Sequence, residues 1–158
     1  QFQRRCVRTA LVHSANWLAT CFRIGYLPLA PGTWGSAAAL IAWRLLPEIE
    51  LFKLSLIVIV IFLVGVIVSS VVSDEENNSD PSKVVIDEWV GMWIALLMIP
   101  NEWLWLGVAF ILFRIFDIVK VYPANRFERL HGGWGIMMDD VVAGLYAGVI
   151  TQAASLFL

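Results

Sequence analysis

Residues 51–72, LFKLSLIVIVIFLVGVIVSSVV, form an apolar run in which Lys53 is the only charged side chain. About 20 such residues, wound as a helix, cross the roughly 30 Å hydrocarbon layer of a bilayer. Hydrocarbon offers no partner to a free peptide group, so a crossing segment must bond its own backbone, and a helix does that. The rest of the chain agrees. It is 59% hydrophobic and 15% charged, against roughly 45–50% and about 25% in soluble domains. The reading is an all-α, polytopic membrane helical bundle.

Four further segments join it. WLWLGVAFILFRIFDIVKV (103–121) and IMMDDVVAGLYAGVITQAASLFL (136–158) are long enough to span, and TWGSAAALIAWRLLP (33–47) and VVIDEWVGMWIALLMIP (84–100) are shorter candidates. About five spanning helices are expected. Residues 1–27 start basic like a signal peptide, but His13, Ser14 and Asn16 interrupt the apolar core that one needs. They are expected to form an amphipathic interfacial helix instead. One domain, 1–158, then holds this N-terminal segment and a bundle over 28–158. Gly65, Gly91, Gly107, Gly144 and Gly148 are expected to let helices approach closely. Trp89, Trp93, Trp103 and Trp105 suit an aromatic belt at the membrane surface. SDEENNSDPSK (73–83) reads as a solvated loop, and Cys6 and Cys21 as idle thiols. A net charge of −2 gives no argument for nucleic acid.

Alternating the spans puts Arg4, Arg5, Arg8, Arg23, Lys83, Arg126 and Arg129 on one side, and Arg44 and Lys53 on the other. Positive loops stay in the cytoplasm, so the first side is expected to be cytoplasmic. That same side collects Asp87 and Glu88, then Arg114, Asp117 and Lys120, then Asp139 and Asp140, beside the PLAPGTWGS turn of 28–36. An ionised side chain in hydrocarbon costs roughly 2.5–3.5 kcal/mol on insertion scales. Several at one depth call for a common purpose. Clustered carboxylates without a His/Cys set suit a hard cation such as Mg²⁺, which commonly bridges to phosphate. Arg114 and Lys120 are phosphate partners. Thr33 and Ser36 stand where a helix opens and its free N–H groups face an anion. Blander readings stay open: an Arg114–Asp117 pair that only joins helices, acids that only favour a helix dipole, and His131 as a plain loop residue.

A metal-assisted phosphate hydrolysis fits this setting. A cysteine phosphatase needs Arg six positions after Cys, where Val12 and Leu27 stand. No Asp-x-Asp occurs, and His13 and His131 are the only histidines. Water is the simplest nucleophile, with an aspartate outside the familiar motif still open.

LAPGTWGS (29–36), DPSKVVIDEWVGMW (80–93), FRIFDIVKVYP (113–123) and HGGWGIMMDDVVAG (131–144), in that order, resemble the phosphatidylglycerophosphatase A family of bacterial inner-membrane lipid phosphatases. The resemblance implies Mg²⁺-dependent removal of the terminal phosphate of phosphatidylglycerophosphate, on the cytoplasmic face of a multi-pass protein. It singles out Asp87, Glu88, Asp139 and Asp140 around metal and water. Asp87, Asp117 and Asp139 are the expected catalytic acids, with His131 protonating the leaving alkoxide. Arg114, Lys120, Thr33 and Ser36 would hold phosphate. The family's Lys-Pro-x-Pro reads Lys120-Val121-Tyr122-Pro123 here, so the fourth helix is expected to run on by about a residue. Two rivals remain: another lipid-phosphate enzyme, or an ion-coupled transporter. The transporter predicts acids near the midplane rather than at one interface.

Overall fold

A computed structural model describes residues 2–127 and 130–157, with backbone alone for 2–8 and 125. The described residues are helical, without strands: α1 (Phe2–Ala19), α2 (Pro31–Leu45), α3 (Leu51–Glu76), α4 (Ile86–Leu96), α5 (Trp103–Val119), α6 (Ala124–Phe127) and α7 (Gly133–Ser155). Arg129 lies outside the described residues, as do the side chains of Arg4, Arg5 and Arg8.

Five full spans are not supported. α3, with 26 residues, and α7, with 23, are long and apolar enough to cross a membrane. α2, α4 and α5 have 15, 11 and 17 residues. At 1.5 Å per residue these reach about 22, 16 and 26 Å, short of a hydrocarbon core of about 30 Å. The sequence itself cuts them. α2 begins on Pro31 at its first helical position, where the missing N–H costs nothing. α4 stops before Pro100, and α5 closes when Lys120 turns left-handed (φ 50°) and donates its N–H to the Phe116 carbonyl. The expected extension of α5 past Lys120 therefore does not occur. α3 instead runs on to Glu76, into the segment expected to be loop, and ends on left-handed Asn77, a residue that tolerates that conformation.

α1 covers part of the 1–27 segment expected to lie at the membrane surface, and it packs antiparallel to α3 instead of apart from the bundle, its Asn16 and Thr9 near Val72 and Glu76, its Leu18 near Val60 and Val64. α4 and α7 run parallel and touch backbone to backbone. A Cβ on Gly144 would collide with the Gly91 carbonyl oxygen, and one on Gly148 would come within 3.1 Å of the Ala95 oxygen. Gly91 in turn faces the Asp140 carbonyl and the Phe113 ring, each 2.6 Å from where its Cβ would stand. Gly107, expected to serve the same end, faces open space. Phe113, Met92, Leu96, Leu106 and Met137 fill the core between these helices. Trp93 and Trp105 belong to that interior rather than to a belt. The Trp93 indole donates to the Ala39 carbonyl at 2.9 Å, the partner a buried indole N–H needs.

The outer surface is apolar. Phe52, Ile59, Val60, Leu63 and Ile67 of α3, and Val149 of α7, are all exposed. Contiguous exposed apolar surface of this kind marks a lipid or partner contact, and α3, which carries most of it, is long and apolar enough to cross a membrane.

Candidate active site

The parallel crossing of α4 and α7 sets the first turn of α4 beside Asp140, two turns into α7. Asp87 and Glu88, in the first turn of α4, meet Asp140 of α7, and one carboxylate oxygen from each lies within 4.8 Å of the others. Asp87 and Asp140 are buried and Glu88 half-buried. Asp87 Oδ1, Glu88 Oε2 and Asp140 Oδ1 are shut off from solvent without a hydrogen-bond partner. Buried polar atoms are nearly always paired, and carboxylates of like charge repel at this range. Three close-set carboxylates, each with a buried oxygen that lacks a partner, are the donor type a hard divalent cation takes.

α2 and α5 close the site. A Cβ at Gly32 would collide with Glu88 Oε1 and stand 3.2 Å from Arg114 Nη1, so the absence of a side chain there makes the room that Glu88 occupies. One turn on, the Ser36 hydroxyl donates to the Gly32 carbonyl at 2.8 Å and accepts from Arg114 Nη1 at 3.3 Å. Arg114 Nη1 also pairs with Asp117 Oδ2 at 2.5 Å, one turn along α5. Lys120, at the end of α5, pairs with Asp139 Oδ2 at 3.0 Å. Asp139 is thus turned to Lys120 while its neighbour Asp140 faces the acids, as the 100° step between successive helical residues requires. Two cations and the three clustered carboxylates line one end of the bundle. The opposite end offers an exposed Lys53–Glu50 pair and Arg44 over the Trp103 ring.

The family model described as phosphatidylglycerophosphatase A matches residues 17–155. The chain belongs to the phosphatidylglycerophosphatase A family. It is 40% identical over 148 residues to phosphatidylglycerophosphatase A of Escherichia coli K12, covering 90% of this chain and 86% of that one. The Haemophilus influenzae protein of the same name is 38% identical over 149 residues, covering 92% and 91%. A putative phosphatidylinositol-3-phosphatase of Bacteroides thetaiotaomicron is 41% identical over 144 residues, covering 87% and 91%. No solved structure matches the chain significantly.

In this member of the phosphatidylglycerophosphatase A family, the residues singled out from sequence fall into three groups. Asp87, Glu88 and Asp140 form the cluster. Arg114, Asp117, Ser36, Lys120 and Asp139 surround it as linked pairs. Thr33 and His131 stand apart. Thr33 is half-buried on the first turn of α2, and no side-chain hydrogen bond ties it to the cluster among the described residues. His131 is exposed, in the wall of a neighbouring cavity that also includes Asp139. Gly32 was not expected as a site residue. Its signal was only its place in the PGTWGS turn, because what it accommodates, Glu88, lies far along the chain. Cys21 is buried near Glu88, and burial first, then that carboxylate's charge, pushes its thiol up to about 12. A thiol held neutral is no nucleophile, in keeping with the exclusion of cysteine chemistry from sequence.

Proposed function

We propose that the protein is a Mg²⁺-dependent phosphatidylglycerophosphate phosphatase, hydrolysing the terminal phosphate monoester to give phosphatidylglycerol and inorganic phosphate. Its setting is the bacterial inner membrane, as a multi-pass protein with the site on the cytoplasmic side. The observation that carries this reading is the cluster of Asp87, Glu88 and Asp140, each with an unpartnered buried oxygen, beside Arg114 in a chain of this family. Asp87, Glu88 and Asp140 would hold the ion, with Asp139 next to it. When bound, the ion supplies Lewis-acid stabilisation to the charge on the phosphoryl oxygens.

The chain's own groups do the rest. The Arg114 fork and the Lys120 ammonium bind the remaining phosphate oxygens. Ser36 steadies Arg114 from α2, and Thr33 stands at the same helix opening, where free N–H groups favour an anion. Asp117 or Asp139 takes the proton of the attacking water. As the water oxygen forms its bond to phosphorus, the bond to the headgroup oxygen breaks. That oxygen takes a proton from His131 and leaves as the alcohol.

A second reading is another lipid-phosphate monoesterase, favoured by the similarity to the putative phosphatidylinositol-3-phosphatase. An ion-coupled transporter is disfavoured, since the buried acids sit in the first turn of α4 and in the first half of α7, toward one pole rather than midway along the helices. The deciding measurement is phosphate released from phosphatidylglycerophosphate and from phosphatidylinositol 3-phosphate by purified protein in mild detergent, with Mg²⁺ and with excess chelator. Chelator-sensitive release from the first lipid, at least about tenfold above the second, is expected. Faster release from the second would move the assignment to the second reading. Release from neither would overturn both.

A further inference from the structure

Next to the acid cluster lies a separate cavity of about 300 Å³, between the end of α3, the turn that follows it and the start of α7. Ser73, Ser79, Asp80, His131 and Asp139 make its polar wall. Two carboxylates and two hydroxyls thus face it, and no Lys or Arg lines it among the described residues. Such a wall suits an O–H donor, since ionised carboxylates only accept hydrogen bonds and hydroxyls also accept them.

The cavity is also built in advance. The Ser73 hydroxyl donates to the Asn78 carbonyl at 2.7 Å, and the Asp80 N–H donates to Asn78 Oδ1 at 3.1 Å. These bonds fix the turn after α3 that carries Ser79 and Asp80. On the far side, the Gly133 N–H donates to Ser70 Oγ at 2.7 Å and ties the start of α7 to α3. A rim held before binding saves ordering entropy on binding. Asp139 joins the cavity to the cations, because its Oδ2 holds Lys120 while the residue lines the wall. A phosphate held by Lys120 is therefore one residue, Asp139, from this cavity.

We infer that the cavity receives the free hydroxyl of the substrate's terminal glycerol, with Asp80 and Ser79 as the residues that recognise it; this rests on the lipid-phosphatase reading above. The terminal phosphate then goes to the cations of α5 and the neighbouring O–H donor to the acids beyond Asp139. A lipid whose phosphate sits directly on diacylglycerol, with no hydroxylated carbon beside it, leaves the cavity without a partner. The site then selects polyol phosphates. His131, in the same wall, stands on the alcohol side of the scissile bond, where a proton is needed.

The test pairs two substrates with two variants. One substrate is phosphatidylglycerophosphate; the other is its synthetic analogue with hydrogen in place of the free hydroxyl of the terminal glycerol. Wild-type protein is expected to turn over the analogue with a kcat/KM about tenfold lower, the worth of one charge-assisted hydrogen bond. Asp80→Ala should lose about that factor on the natural lipid, mostly through KM, and treat the two lipids alike. Ser79→Ala should narrow the gap less. Both positions are exposed, so thermal midpoints should stay within a degree or two of wild type. If both variants keep the wild-type preference, or wild type shows none, the inference falls while the phosphatase reading stands. If folded wild type releases phosphate from neither lipid, the phosphatase reading falls and takes the inference with it.

Discussion

Asp140 is 3% exposed, shares its pocket with Asp87 and Glu88, and has an oxygen without a partner. In metal-free protein, mutual repulsion of the three acids opposes folding. Asp140→Asn removes one of those charges and keeps the shape. It is therefore expected to raise the thermal midpoint of chelator-treated protein by a few degrees while lowering phosphate release by more than about a hundredfold. Added Mg²⁺ should stabilise wild type and leave the variant nearly unmoved, since an ion raises stability only by binding the folded state. Scanning calorimetry with and without Mg²⁺, beside the phosphate assay, reads all three effects. The acids themselves were legible in sequence because charge in an apolar chain is conspicuous. Their division of labour was not. Adjacent residues point about 100° apart, and which of Asp139 and Asp140 faces inward depends on the rotation of α7, fixed by Gly144 and Gly91 rather than by the acids.

At the scale of elements, the α4–α7 crossing sets the site. Gly144→Ala would push a methyl into the Gly91 carbonyl, forcing the helices apart at a cost of about 1–3 kcal/mol. Gly107→Ala meets nothing within 4 Å and should stabilise by up to about 1 kcal/mol through helix propensity. Thermal melts of the two variants in one detergent should shift in opposite directions. A loss of activity is expected only for the first. Both glycines carried the same expectation in the sequence, because a small residue in an apolar run looks the same whether or not a neighbour lies against it. Helix lengths were misjudged for a related reason. Hydropathy continues through Leu97 to Ile99 and through Val121, whereas the backbone ends α4 and α5 at Leu96 and Val119. Tryptophan misled likewise: Trp93 lies inside, because the Ala39 carbonyl, far off in sequence, is there to receive its N–H.

On the scale of the whole molecule, α2, α4 and α7 begin, and α3 and α5 end, at one pole, with Lys83 paired to Glu76 there at 2.6 Å. If that pole faces the cytoplasm, a single cysteine placed at exposed Ser82 should be blocked by an impermeant maleimide only in inverted vesicles. One at exposed Glu48, before α3, should react in right-side-out cells. Charge and hydropathy along the chain sufficed to bring Asp87, Arg114, Lys120 and Asp140 to one pole, since a helix bundle has only two. They could not reveal the cavity beyond Asp139, whose wall joins the end of α3 to the start of α7 across residues spaced from Ser73 to Asp139.

Arg114 is already held by Asp117, and Lys120 by Asp139. On the proposed reading, a phosphate entering this pole would not fill vacant charges but change partners with carboxylates. Each exchange would return part of what it gains, which would let product depart. It would also free Asp117 and Asp139 at the moment the substrate arrives, so that the substrate itself arms the proposed proton acceptors.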